Sequence, residues 1–383
     1  MEQLVRLGDV CTVVSGSTPK TSVDEYWNGD VKWITPAELD ADSYYIHDSV
    51  KHITERGRTK TGLSYMPVGT VILSSRAPIG KTAILGCEMC CNQGFKNLIC
   101  TDRIFNEYLY HFLRAKTNYL NSLGRGATFK ELSKGIVENV LIPLPAIEEQ
   151  HHIADLFASV EELIQTKKQQ LDLFDELVKS RFVELFGDMA HSGNKICLEE
   201  ISDFVTVGIA NSATHAYADS GIVMLRNQNI KENHLDENDL IYITPDFAQK
   251  YGSKQLAEND ILVIRTGYPG VACLVPKKYE GCQTFTTLIV RLKDSTLAHA
   301  NYVCHYINSS FGKNYVEQSK VGVAQQNFGA KALAKMPIVI PSMELQEQFA
   351  KFVEQTDKSK LAVQLSIAEL EELKKSLMQK YFG

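Results

Sequence analysis

The chain has 383 residues, of which 44% are apolar and 22% charged, a balance that gives two ordinary domains cores of their own and excludes wholesale disorder. A net charge of −6 excludes a binder that works through bulk positive charge, and nine scattered cysteines suit reduced thiols in a cytosol better than a disulfide framework. No stretch reaches the roughly 18 continuous apolar residues that span a bilayer, and Met1 to Arg6 has no basic segment ahead of an apolar run, so a soluble, cytoplasmic protein without a membrane partner is expected.

Residues 1–147 predict the first domain. Short β-branched or aromatic runs, broken by Gly and Pro, stand at Val10 to Val14, Val31 to Ile34, Val71 to Ser74, Thr82 to Leu85 and Leu98 to Thr101. Helical periodicity is confined to Asn106–Leu123, and the mixture reads as α+β. Between the second and third runs, Val50 to Thr61 carries Lys51, His52, Arg56, Arg58 and Lys60, with Gly57 expected to keep the loop mobile. Such cations suit phosphates, and Arg also grips a guanine edge, so Lys51, Arg56, Arg58 and Lys60 are candidate DNA ligands. The plain alternative is a solvated surface. Ser75 to Thr82 resembles a phosphate-binding P-loop but lacks its first glycine and leads into a strand, so Arg76 and Lys81 are read as a basic loop facing DNA. Cys87, Cys90, Cys91 and Cys100 lack a second ligand pair at zinc spacing and are read as free thiols; no metal or other cofactor is expected.

The pattern then changes. Residues 148–187 hold no Pro, and no Gly before Gly187, which is expected to end them as one helix. Ile153, Leu156, Val160, Leu163, Lys167, Leu171, Phe174, Val178 and Leu185 recur at threes and fours, the seam of a coiled coil. About 36 helical residues span about 54 Å, too long for one small domain to cover. Residues 188–343 predict a second domain. Its amide cluster Arg226-Asn227-Gln228-Asn229 has the paired donors and acceptors that adenine reading needs, and Gln325-Gln326-Asn327 is a second one; turn chemistry is the alternative for both. Residues 344–383 predict a second long helix, with Phe349, Phe352, Val353, Val363, Ile367, Leu370, Leu373 and Leu377 inward.

The chain is therefore written twice. Val140 to Pro143 ahead of Glu149-Gln150 matches Ile338 to Pro341 ahead of Glu347-Gln348. Glu176 to Ser180 running to Phe186-Gly187 matches Glu372 to Ser376 running to Phe382-Gly383. Gln93, Phe95, Leu98 and Ile99 match Gln283, Phe285, Leu288 and Ile289; Tyr108 and His111 match Tyr302 and His305. Thr35 and Glu38 fall where Arg226 and Asn229 do, so if that loop reads bases the two domains read different ones, and all four are candidates. Two matched seams predict an antiparallel helix pair related by an approximate two-fold axis.

Gly57 to Leu63, Met66 to Ile84 and Cys91 to Leu98 resemble a target-recognition domain of type I restriction-modification specificity subunits. Ile142-Pro143-Leu144-Pro145 leading to Glu149-Gln150, and Ile340-Pro341 leading to Glu347-Gln348, resemble the segments that follow such domains. The second copy departs at Arg265-Thr266-Gly267-Tyr268-Pro269-Gly270; Arg265 joins the candidate contacts. The resemblance implies two recognition domains separated by two long helices that form an antiparallel coiled coil. Each domain would read half of a bipartite, asymmetric site in double-stranded DNA. The helices would space the domains and dock two methyltransferase subunits, and motor-nuclease subunits would join. The S-adenosylmethionine, ATP and magnesium chemistry would belong to those partners.

No dinucleotide loop, His-Glu-x-x-His or Gly-x-Ser-x-Gly is present in the sequence, so a non-catalytic subunit is expected. The competing readings are a self-sufficient DNA nuclease or methyltransferase with built-in specificity, and a coiled-coil scaffold that binds no DNA.

Overall fold

The computed structural model describes residues 3–40, 42–76, 78–126, 130–192, 194–210, 214–293, 297–320 and 327–383. It forms two units that do not follow chain order: Met1–Lys168 with Gln364–Gly383, and Gln169–Val363. Each long helix gives one segment to each unit.

In the first unit, alternating apolar residues assemble a five-stranded sheet in the order Cys11–Ser15, Phe95–Cys100, Val71–Ser74, Thr82–Leu85, Tyr45–Ile46. One face buries Val13, Val71, Leu73 and Leu98 against Tyr108, Leu109 and Phe112 of helix Asn106–Ala115. The other buries Ile72, Leu85 and Phe95 with Ile34 and Met89. A three-stranded sheet, His52–Ile53, Trp27–Ile34 and Cys90–Cys91, stands beside it, its last pair parallel. The helical periodicity expected over Asn106–Leu123 is carried by two helices, Asn106–Ala115 and Thr117–Leu123, broken at Lys116, whose φ of −94° and ψ of 11° leave helical geometry.

The second unit repeats the plan. Ser202–Val207, Leu288–Leu292, Ile261–Val263 and Ala272–Leu274 follow the same order, and Ile222–Leu225 pairs in parallel with Gln283–Thr284. Each unit closes on its first strand: Leu4–Arg6 pairs with Leu141–Pro143, and Lys195–Cys197 with Pro337–Val339. Here the sequence match needs correction by two residues. Pro143 occupies the place of Val339, and Tyr108 and Tyr302 donate their hydroxyls to those two carbonyls at 2.9 and 2.7 Å. The buried Gln150 accordingly corresponds to Gln346, not to Gln348. Gln150 accepts from Phe105 N–H (2.8 Å) and donates to Arg103 and Pro145 carbonyls; Gln346 accepts from His299 N–H (2.8 Å) and donates to Leu297 and Pro341 carbonyls. Short apolar-Pro runs look alike at either register, and the buried amides choose.

The helices run Ile147–Ser192 and Met343–Phe382. In the first unit Phe157 stacks on Phe382 with centroids 5.7 Å apart, and Lys374 pairs with Glu161 at 2.6 Å. In the second, Phe186 meets Phe349 at 5.6 Å and Asp175 pairs with Lys360. As residue numbers rise on one helix they fall on its partner, so the pairing is antiparallel in each unit, as the matched seams predicted.

Three expectations about the helices are corrected. The fully buried positions are Phe157, Ile164 and Phe186, whereas Leu156 and Leu185 are only half-buried and Leu163 is 50% exposed. One residue of phase turns a helix face by about 100°. The reason is that the seam is not buried by the partner helix alone: Ile153, Phe157 and Phe382 enter the core of the first unit, and Phe182, Phe186 and Phe349 that of the second. On the second helix Leu373 likewise points outward, 47% exposed. Gly187 does not stop the first helix, which passes through it. A mid-helix glycine costs only about 1 kcal/mol, less than the burial of one phenylalanine contributes.

Candidate nucleic-acid interface

Three candidates far apart in the second unit's sequence meet at one place. Asn227–Asn229 is a single 3₁₀ turn after strand Ile222–Leu225, with Arg226 ahead of it. Asn229 is fully buried: its carbonyl accepts from Arg226 N–H (3.0 Å) and its amide donates to the Asp236 and Asn238 carbonyls, both at 3.0 Å. That amide builds the turn and is not presented to a ligand. Gln228 is exposed. The Asn227 amide lies 3.3 Å from Thr266 Oγ1, and its carbonyl oxygen is buried without a hydrogen bond. Arg226 donates to the Asp239 carbonyl. Arg265 Nε donates to Asn327 Oδ1 at 2.9 Å, and Thr266 bridges Asn327 through the backbone. Asn227, Arg265, Thr266 and Asn327 thus form one polar patch, with the 83% exposed Tyr268 in the same loop. Gln325 and Gln326 lie outside the described residues.

The matching turn of the first unit carries other chemistry. Glu38 accepts from Thr35 N–H (2.8 Å) and Thr35 Oγ1 (2.9 Å), and its second oxygen accepts from Val50 N–H (2.7 Å). Lys81 is a staple: its ammonium donates to the carbonyls of Pro36 and Leu39, which holds this turn against the strand end.

The basic segment is not the mobile loop expected of it. Glu55–Thr61 is a helix, capped by Thr54, whose hydroxyl accepts from Gly57 N–H at 3.1 Å. Gly57 is buried, and a Cβ there would come within 2.6 Å of the Tyr26 carbonyl, so the glycine serves close packing. Arg58 bonds Glu55 and the Leu63 carbonyl (2.9 Å) and lies over Tyr65, 4.7 Å from its centroid. Those bonds hold the Glu55 carboxyl below its ordinary range. Arg56 pairs with Glu25, while Lys51 and Lys60 are exposed. Of the four cations, Lys51, Arg56 and Lys60 therefore reach solvent and Arg58 is tied to its own helix.

Arg76, a candidate from the sequence, stands in a group whose other members, Lys96, Arg125 and Glu131, the sequence reading missed. Arg76 bridges Glu131 through the backbone, and Glu131 exchanges backbone hydrogen bonds with Arg125 at 3.1 and 2.9 Å. Beneath them the buried Lys96 lies 3.5 Å from Glu131 and 3.3 Å from Ser75 Oγ. Leu132 N–H bonds the Ser75 carbonyl as Phe328 N–H bonds that of Arg265, so Glu131 occupies the place of Asn327 and Arg76 that of Thr266. The signal was available: Asn327 was already a candidate, and its counterpart sits at the same remove from the helix.

The cysteines are free thiols; Cys87 and Cys90 lie on the carbonyls of His47 and Ser64. Among the described residues no three His, Cys, Asp or Glu gather as metal ligands, and no helix is long and apolar enough to cross a membrane.

Comparison with known proteins agrees with this geometry. A family model described as "Type I restriction modification DNA specificity domain" matches twice, over residues 2–173 and 189–374. The MjaIX specificity subunit of Methanocaldococcus jannaschii is 39% identical over 186 residues, 48% of this chain and 43% of that subunit, so the match spans less than half of that relative's length. The MjaVIII specificity subunit of the same organism is 21% identical over 98% of this chain and 91% of its own. Among solved structures, a chain from a study of complex assembly and conformational transition of the type I R-M system superposes with a TM-score of 0.61 at 19% identity, covering 99% of this chain and 97% of that one. The S subunit from M. genitalium gives 0.53 at 13%, covering 100% and 96%. At such identities the likeness is one of fold.

Proposed function

This chain belongs to the family of type I restriction-modification specificity subunits, and from that premise we propose that its two units each read one half of a bipartite, asymmetric site in double-stranded DNA. One observation carries the reading. The two units place the same turn, built by Glu38 in one and Asn229 in the other, and the same bridging residue on the same backbone frame, but with different polar groups beside them: Thr35, Arg76 and Glu131 against Arg226, Thr266 and Asn327. Phosphate contacts position a protein and base contacts specify, so a repeated frame with altered polar groups suits two unlike half-sites. Lys51, Arg56, Lys60, Arg125 and Lys130 supply exposed positive charge for the backbone on the first unit.

The paired helices act as the spacer, and their outward faces dock two methyltransferase subunits, with motor-nuclease subunits joining that core. A chain with an internal two-fold repeat offers two similar patches, which favours a pair of identical partners. The chain carries out no chemistry of its own; S-adenosylmethionine, ATP and magnesium chemistry rests with the partners, in the cytoplasm. Co-expression with methyltransferase subunits, followed by sequencing of methylated bases, is expected to reveal one split, asymmetric motif. Cutting or methylation by the pure chain would reverse the reading in favour of a self-sufficient enzyme. A chain that enriches no sequence from a random DNA pool would instead be a scaffold.

A further inference from the structure

We propose that Glu131 is a specificity-determining residue of the first unit, accepting a hydrogen bond from the exocyclic amino group of an adenine or cytosine in the major groove. The proposal rests on the DNA-reading assignment above.

Three observations support it. First, the backbone of Glu131 is fixed from two sides, bridged to Arg76 and to Arg125, so its side chain projects from a defined point. Second, that side chain is 46% exposed, whereas its partner Lys96 is 6% exposed and lies 3.5 Å away. Lys96 is too buried to serve as a phosphate ligand. Its charge acts on Glu131, offsetting the repulsion a bare carboxylate would meet among phosphates and leaving an oxygen free to accept. Exposed Arg125 and Lys130 flank the site and suit the backbone on either side. Third, the second unit has Asn327 at the same place, hydrogen-bonded to Arg265 and beside Thr266 and Asn227. The second unit has no lysine where Lys96 stands, yet it keeps a polar group on the same frame, an amide bonded to Arg265, so the position carries a different hydrogen-bonding group in each unit.

The chemistry sets the rule. A carboxylate only accepts, so it pairs with adenine N6 or cytosine N4 and repels guanine O6 or thymine O4. Glu131→Gln adds an NH₂ group at the same place, and that group can donate to a keto oxygen.

The test uses the complex of this chain with its methyltransferase subunits. The wild-type motif is first mapped by sequencing methylated DNA. Competition binding then runs over duplexes changed at each base pair of the half-site read by the first unit. The wild type is expected to prefer the amino base at one position by about tenfold to a hundredfold. In Glu131→Gln that preference should fall to near parity, with the other half-site unchanged. Which base loses its advantage tells adenine from cytosine. Unaltered discrimination at every position overturns the proposal. So does a uniform loss across all sequences with a lower melting temperature, which would make Glu131 only a partner for Lys96. Should Glu131→Gln fail to fold, Lys96→Met/Glu131→Gln removes the buried charge as well and must show the same relaxation at the same base pair. If the wild type reads no split motif, the DNA-reading assignment itself falls and takes this proposal with it.

Discussion

His111 and His305 occupy equivalent places, each on the helix that packs its unit's sheet against the long helices. Both are buried; His111 stacks on Phe157 at 4.9 Å and His305 meets Phe349 at 5.0 Å. Burial, helped by Lys374 and Arg114 in one case and Lys360 in the other, pushes each imidazole down to about 3. A depressed folded value means the unfolded chain takes up a proton first as pH falls. Stability is therefore full above the ordinary histidine value of about 6.5 and is lost as pH falls toward 3, on the order of a few kcal/mol for each ring. Neither ring nitrogen of His111 makes a hydrogen bond, so phenylalanine fits its stack without stranding a partner. His111→Phe/His305→Phe is expected to flatten the fall in melting temperature between pH 7 and 4. A wild-type slope retained in the double variant would place the acid sensitivity elsewhere.

At the scale of elements, each long helix begins at a strand that closes its unit, and one buried glutamine holds the junction. The side chain of Gln150 reaches Phe105, Arg103 and Pro145 at 2.8, 3.1 and 3.0 Å, and Gln346 makes the same three bonds in the other unit. Loss of a buried amide strands its partners, at about 1–3 kcal/mol for each group left unsatisfied. Gln150→Ala should lower the melting temperature by several degrees, and Gln150→Glu should do so too, because a carboxylate cannot donate to two carbonyls. Calorimetry decides; a neutral result in both variants would mean that apolar packing alone sets the junction. The same pair of residues shows why the sequence placed the junction two residues off: Glu149-Gln150 and Glu347-Gln348 look alike as text, whereas only Gln150 and Gln346 are buried.

At the scale of the molecule, both helices pass from one unit to the other, between Lys168 and Gln169 and between Val363 and Gln364. If they are the spacer, lengthening both at those points should alter the gap in the DNA site and leave the half-sites alone. Seven residues added to each, two helical turns that keep the seam nearly in phase, lengthen a helix by about 10 Å, or about three base pairs of rise. Sequencing of methylated DNA from such a variant should return the same two half-sites with a wider gap. Altered half-sites with the original gap would remove the helices from the role of spacer.

Local patterning alone settled the duplication, the α+β character of both halves, the two long helices and their antiparallel pairing. Periods of two and 3.6, glycine and proline breaks and repeated spacings are properties of neighbouring residues and need no fold to be seen. It also marked the turn at Arg226, the loop at Arg265 and Asn327 as polar places, though not that they are one place. Tertiary structure decided what depends on distant partners. Which helix face is buried followed from the cavities that receive Phe157 and Phe186, not from the stripe itself. Whether a cation or amide is free followed from groups remote in sequence: Lys81 is held by carbonyls more than forty residues earlier, and Glu131 meets Arg76 and Lys96 only through the fold. A side chain's type is written in the sequence, but whether its polar atoms are already used is set by what folding brings within about 3 Å of them.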